Sequence, residues 1–318
     1  MSFQPKKVLL CGATGTIGRA TARAAVEAGL DVTCLVRRPV EVFEGAATVQ
    51  ADVTDAASVD AVFASGFDVV ISCLASRTGA PEDAWAIDDR ANRTVFDAAK
   101  AHGAPHVILL SAICVQKPRL AFQHAKLSAE TALIESGLTY TVVRPTAFFK
   151  SLSGQIARVQ AGRSFLVFGD GHLTACKPIS DRDLGQFLVK CIDLPGAKNA
   201  VVPIGGRGPA ITPRDQADHL FGLLGKDSKI GTMPVIVMKT IAGGLGFLSR
   251  IVPSFTAKAE FARIGLYYAT ESMLVWNEAE GRYDADATPS FGEDTLFDYY
   301  ADVIAGRATV EKGDHSVF

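Results

Sequence analysis

An open α/β sheet, doubly wound with helices on both faces, is the fold this sequence predicts, and three observations carry the prediction. Short apolar runs alternate with helical patterns from residue 8 to residue 144, as parallel strands joined by crossover helices do. Gly12, Gly15 and Gly18 stand where the first apolar run passes into the first helix. Arg37 and Arg38 end the second run. The chain has 318 residues, 48% hydrophobic and 21% charged, enough for a substantial core in one large or two modest domains. A formal net charge of −2 and the lack of a charged tail leave no basic excess for nucleic acid.

Residues 8–10 read as a buried strand, followed by a small-residue helix over 17–28 that Gly29 closes. In a Rossmann-like unit the first glycine permits the tight turn and the second lets backbone approach a pyrophosphate. The third lets helix and sheet pack closely. Cofactor contacts are therefore expected from Gly12, Thr14, Gly15, Thr16, Ile17 and Gly18, and the Gly-x-x-Gly-x-x-Gly spacing points to the extended-dehydrogenase branch. The second strand is 31–36. Where an NAD-binding protein carries an acid for the ribose hydroxyl, this chain has Arg37, which would pair with a 2′-phosphate and favours NADPH. The alternative is a solvated arginine pair.

A third strand is expected at 49–52. Asp52 would approach the adenine, or it or Thr54 would cap a helix beginning near residue 56. A fourth strand over 67–73 sends Leu74, Ala75 and Ser76 under the cofactor ribose. A helix over 88–102, a strand over 106–112, a helix over 122–136 ended by Gly137 and a strand over 140–144 stopped by Pro145 complete the pattern. Later, Ser180 with Asp183, and Thr212 with Pro213 and Asp215, mark two helix starts. The expected division is an NADPH-binding Rossmann domain over 1–150 and a smaller, mixed α/β substrate-binding portion over 151–318, interleaved with the first sheet.

Six cysteines lack metal-ligand spacing, so reduced buried thiols are expected and no metal site. The chain enters its first strand almost at once, which implies a cytoplasmic protein without signal or transit peptide. Residues 233–255 are mostly apolar, but Lys239, Arg250, two prolines and three glycines interrupt them. A spanning helix needs about 20 largely uninterrupted apolar residues; this segment is rejected as one, and peripheral contact with a membrane stays open.

The chemistry-bearing positions resemble those of short-chain dehydrogenases, in which a serine ends the fifth strand and Tyr-x-x-x-Lys follows on the next helix, both on one face. Ser111 and Lys126 occupy the serine and lysine positions, but the tyrosine position is Phe122. A phenyl ring donates no proton, so ordinary carbonyl–alcohol chemistry is disfavoured. Longer runs then become specific: SCLASRTG (72–79), LLSAICVQKP (109–118), VRPTAFFKSLSGQ (143–155), FGDGHLTACKPISDRDL (168–184), YYATESMLV (267–275) and RYDADATP (282–289). Together they resemble the 8-vinyl reductases of chlorophyll synthesis over nearly the whole chain, in a form expected from a photosynthetic bacterium.

That resemblance implies NADPH-dependent reduction of the C8 vinyl group of a magnesium-containing divinyl tetrapyrrole, divinyl chlorophyllide a or its protochlorophyllide precursor, to ethyl. The terminal vinyl carbon would accept hydride, because the charge left behind delocalises into the macrocycle, and a proton would follow. No alkoxide forms, so no tyrosine is needed. On this reading Lys126 and Ser111 are the catalytic candidates, with Lys126 also holding the nicotinamide ribose. Phe122, Phe148 and Phe149 would line the macrocycle pocket and Lys150 would meet a propionate. His124 and His172 are lesser proton-donor candidates, and Cys114 and Cys176 are read as packing. The alternative function is a non-enzymatic NADPH-sensing protein of the same fold.

Overall fold

The computed structural model describes residues 4–77 and 79–310. In the first part the elements are β1 (Lys7–Cys11), α1 (Thr16–Glu27), β2 (Asp31–Val36), β3 (Ala47–Gln50), α2 (Ala56–Phe63) and β4 (Val69–Ser72). A short α3 (Pro81–Ala84) runs through a π-helical stretch (Trp85–Ala91) into α4 (Asn92–Ala101), followed by β5 (His106–Leu110), a 3-10 turn (Ile113–Gln116), α5 (Ala121–Glu135) and β6 (Thr139–Pro145). Beyond these come α6 (Phe149–Leu152), α7 (Ile156–Gln160), β7 (Phe165–Phe168), α8 (Asp181–Lys190), β8 (Ala200–Ile204), α9 (Pro213–Leu223) and β9 (Ile230–Met233). The chain ends in α10 (Val235–Ile251), α11 (Thr256–Thr270), β10 (Val275–Asn277), β11 (Arg282–Asp284) and α12 (Leu296–Ile304).

Seven parallel strands make one sheet in the order β3-β2-β1-β4-β5-β6-β8. Val8 pairs with Val32 on one side and Val69 on the other, so the order reverses across β1. The strands are apolar on both faces because both are covered. Val8, Leu10, Cys34 and Ile71 meet α1 and α8 through Ala22, Leu184 and Leu188. Leu9, Cys11 and Val70 meet α2, α4 and α5 through Val59, Val95 and Leu133. A third core gathers Ile113, Phe149, Phe165, Phe221, Tyr267 and Tyr300 under the irregular second part. Here β7 pairs with β9, and β10 with β11. The sheet also takes β8, and its face α8, from beyond residue 150, where Gly185 lies so close to α1 that a Cβ would come within 2.6 Å of the Ala20 carbonyl carbon.

Three expectations shift. The third strand starts earlier, at Ala47, because its register is set by β2, where Val36 pairs with Gln50. Neither Asp52 nor Thr54 caps α2: Asp52 turns onto the Thr54 amide and hydroxyl (2.9 and 2.7 Å), and Asp55 accepts the Ala57 amide at 3.2 Å. The helix expected from residue 88 begins at Pro81, with Glu82 and Asp83 in its first turn, a proline-and-acid start suited to a helix N-terminus. The two later starts form as expected, with Ser180 accepting the Asp183 amide (3.0 Å) and Thr212 in a reciprocal box with Asp215.

Candidate active site

The glycine turn sits at the carboxyl end of β1, where the strand order reverses and open α/β sheets bind their ligands. Gly12 has φ +76°, and a Cβ there would lie 2.5 Å from the Cys73 carbonyl oxygen. At Gly18 a Cβ would lie 2.2 Å from the Gly12 carbonyl oxygen. Around Gly15 the nearest obstacle is 3.5 Å away, so protein packing does not require glycine there. The open side is what a ligand approaching the backbone needs. Gly15 starts α1 without a side-chain cap, and no acid lies in the first turn, so the helix start is left for an anion. Thr14 and Gly15 are exposed, Thr16 is half-buried, and Ile17 anchors the turn in the core.

Arg37 is exposed just past β2. The Thr54 amide and then its hydroxyl hold the Asp52 carboxyl below its usual range, and the Arg37 charge adds to this. Leu74, Ala75 and Ser76 leave β4 beside the turn, with only Ala75 exposed. The Ser76 amide donates to Asp88 Oδ2 at 3.3 Å.

Asp88 was not among the sequence candidates. It lies in the π-helical stretch, 1% exposed, and its Oδ1 is 2.9 Å from Lys126 Nζ. One carboxylate thus joins the loop expected under the ribose to the candidate catalytic lysine, whose side chain is 12% exposed. Phe122, one turn before Lys126, packs half-buried on the third core. Ser111 is turned elsewhere: its hydroxyl donates to buried Glu130, which also pairs with Arg144. The fold places Ser111 and Lys126 on adjacent elements but gives their polar groups different partners.

The two phenylalanines after β6 diverge. Phe149 is buried in the third core with its ring centroid 5.8 Å from that of Tyr299, whereas Phe148 packs against the sheet. Lys150, expected at a substrate propionate, donates to Thr16 Oγ1 at 2.9 Å and so brings its charge to the start of α1. A cavity of about 360 Å³ beside it is walled by Asp181, Glu293, Asp294, Asp298 and Asp302, carboxylates that would repel a propionate. His124 and His172 are exposed, the latter in the loop after β7. Cys114 and Cys176 are buried; burial pushes both thiols up, Cys176 to about 12, as befits packing residues.

A second polar cluster also escaped sequence reading. Glu271, at the end of α11, is buried and accepts from Lys117 (2.8 Å) and Tyr283 (2.6 Å), with Arg119 Nη1 2.9 Å away. Lys117 also lies 4.0 Å from the centre of the Trp276 ring. Burial alone would raise the Glu271 carboxyl, but Lys117, Tyr283 and Arg119 outweigh it and hold it low. The Tyr267 hydroxyl donates to the carbonyls of Cys114 and Lys117 (2.8 and 3.1 Å). These links fasten the C-terminal elements to the loop that follows β5. The available signal was the runs at 109–118, 267–275 and 282–289, which carry most of the partners but do not show that they meet.

A family model described as NAD(P)H-binding matches residues 12–195. A chloroplastic divinyl chlorophyllide a 8-vinyl-reductase of Cucumis sativus is 43% identical, covering 98% of this chain and 79% of its own. Its counterpart in Zea mays is also 43% identical, with 98% and 82% covered. Among solved structures, an NADPH-dependent quinone oxidoreductase of Escherichia coli with NADPH superposes with a TM-score of 0.69 at 18% identity, over 93% of this chain and 99% of that one.

Proposed function

The chain belongs to the divinyl chlorophyllide a 8-vinyl-reductases, NAD(P)H-binding oxidoreductases of the Rossmann class, and from that premise we propose how its residues serve the reaction. The protein is an oxidoreductase that reduces the 8-vinyl group of divinyl chlorophyllide a to ethyl, and the cofactor assigned to it is NADPH. The observation that carries the mechanism is the pairing of buried Asp88 with half-buried Lys126, one turn after Phe122 on α5.

The site fits a dinucleotide: the uncapped start of α1 and the open side of Gly15 accommodate a pyrophosphate, and Arg37 suits a 2′-phosphate. NADPH, when bound, supplies the hydride for the terminal vinyl carbon. Lys150, through its place at Thr16, adds a cation to the pyrophosphate site. Asp88 aims Lys126 through an ion pair at 2.9 Å. Lys126 then holds the nicotinamide ribose and supplies or relays the proton that completes the ethyl group. Phe122 offers an apolar surface to a flat macrocycle and has no proton to give, which a C=C reduction does not require of it. Ser111 acts as part of the Glu130–Arg144 brace. The substrate portion is built from the elements of the third core beyond residue 150 together with the loop following β5, and contact with a membrane surface belongs to this reading.

The test is a pigment assay with the purified protein. Divinyl chlorophyllide a with NADPH should convert to the monovinyl pigment by absorption and chromatography, and NADH should be the poorer donor. Unchanged pigment after long incubation would leave the NADPH-sensing reading. Arg37→Asp should weaken NADPH use by roughly tenfold or more; an unaltered preference for NADPH would place the 2′-phosphate elsewhere.

A further inference from the structure

Helices α10 and α11 form a hairpin whose outer face has the wrong polarity for water. Along α10, Ile236, Val237, Ile241, Phe247, Leu248 and Ile251 are all exposed, Ile236 and Ile251 at 66% and Phe247 at 63%. At 3.6 residues per turn these six fall within an arc of about 140°, an apolar stripe whose one polar member, Thr240, turns its hydroxyl back onto the Ile236 carbonyl. The other side of the helix is turned inward, where Ala242 and Gly246 are buried and the helix packs on α11. Val252 and Phe261 extend the exposed apolar surface past the hairpin turn. Scattered apolar residues are normal on a surface; a stripe of six along one helix marks something that covers it.

The charges around the stripe say what the cover is. Residues 233–263 contain four basic residues, Lys239, Arg250, Lys258 and Arg263, and one acid, Glu260. That acid is buried, bonded to the Ala121 amide (3.1 Å) and paired with Arg263. Lys239 and Lys258 are exposed. The face thus offers apolar side chains and positive charge with no exposed acid, on a chain whose net charge is −2. Among the described residues no helix is long and apolar enough to cross a membrane; an apolar face flanked by exposed lysines is the pattern of a helix that lies in the interface. A second copy of the chain would set this basic rim against itself, since a two-fold contact joins like surfaces.

We propose that the α10–α11 hairpin is a membrane-docking surface, with the apolar stripe of α10 seated in the interfacial region of a bilayer containing anionic phospholipid and Lys239 and Lys258 at its headgroups. The hairpin is also coupled to the active site: Glu260 holds the start of α5, the helix of Phe122 and Lys126, and Tyr267 holds the loop after β5. Docking would therefore tie the helix of Phe122 and Lys126 to an element seated on the membrane. The proposal does not depend on the reaction assigned above.

Vesicle co-sedimentation of the full chain tests it, with phosphatidylcholine vesicles alone and with phosphatidylcholine–phosphatidylglycerol vesicles. The protein should pellet with the mixed vesicles and much less with the neutral ones, and added salt should weaken the binding. The triple variant Ile236→Ser/Phe247→Ser/Ile251→Ser should bind about a hundredfold more weakly, and Lys239→Glu/Lys258→Glu should lose about tenfold on anionic vesicles. Circular dichroism and reduction of detergent-dispersed pigment should be unchanged in both, because these side chains are outside the site. Failure of the parent protein to bind mixed vesicles, or full binding by the triple variant, overturns the proposal. So does a dimer in size-exclusion chromatography that the triple variant dissociates while vesicle binding is absent. If the parent binds vesicles but reduces no pigment, the docking surface stands and the reaction assignment fails.

Discussion

At the glycine turn, geometry is fixed by backbone against backbone: a Cβ on Gly12 would strike the Cys73 carbonyl, and one on Gly18 the Gly12 carbonyl. In the loop after β5, geometry is fixed by side chains from distant segments: Lys117, Arg119 and Tyr283 converge on Glu271, and Tyr267 on two carbonyls. The first region tolerates almost no added atom but needs few specific side chains. The second depends on each partner being present. A cofactor shared by many reactions suits the site built from backbone, while a particular substrate suits the one built from side chains.

The largest effect expected from breaking this contrast is in the turn. Gly18→Ala should cost about 3 kcal/mol, because the obstacle is backbone and cannot rotate away, and should abolish dinucleotide binding in a fluorescence titration. Gly29→Ala, at φ +75° with nothing within 4 Å, should cost only about 1 kcal/mol. Equal losses at the two sites in urea unfolding would show that close approach is not what the turn demands.

The sheet makes the next prediction. His106, at the start of β5, is buried with its Nε2 2.9 Å from Thr141 Oγ1, and burial, aided by the Lys198 charge, lowers its pKa from 6.5 to about 4. Between those values the unfolded chain binds the extra proton. Stability is therefore full above pH 6.5 and falls as pH drops to about 4, by up to about 3 kcal/mol. His106→Gln should flatten that part of the profile; an unchanged slope would assign it to other groups.

In the side-chain cluster, Glu271→Gln should cost about 2 kcal/mol, discounted because Arg119 is largely exposed. Its characteristic signature is local: amides of the loop after β5 and of α11 should exchange faster while those of β1 and α1 keep their protection. Uniform loosening of the whole chain would erase the distinction between the two regions.

How much of this was legible follows the same line. The strand and helix succession, the glycine turn and the caps at Ser180 and Thr212 are local patterns, and periodicity shows them. The cap of α2 was missed by one neighbour because Asp52, Thr54 and Asp55 are all competent and only the backbone chooses among them. Asp88 could not be found: it meets Lys126 only because a π-helical stretch turns it inward. Lys150 was seen as a charge, but its place at Thr16 needs the short helix α6 to meet the start of α1 at the glycine turn. Phe148 and Phe149 read as a pair, and the short helix α6 sends them into different cores.

The central claim, that a lysine held by a buried carboxylate does the proton chemistry without a tyrosine, is tested most directly by removing the pair together. Lys126→Ala alone leaves Asp88 buried and uncompensated, at a cost of about 3–5 kcal/mol, which would confuse loss of fold with loss of chemistry. Asp88→Asn/Lys126→Met avoids the stranded charge. In single-turnover reduction of divinyl chlorophyllide a with NADPH, this double variant should remain folded, still bind the cofactor, and reduce the vinyl group about 100- to 1,000-fold more slowly. A rate close to that of the parent protein would remove Lys126 and Asp88 from the mechanism.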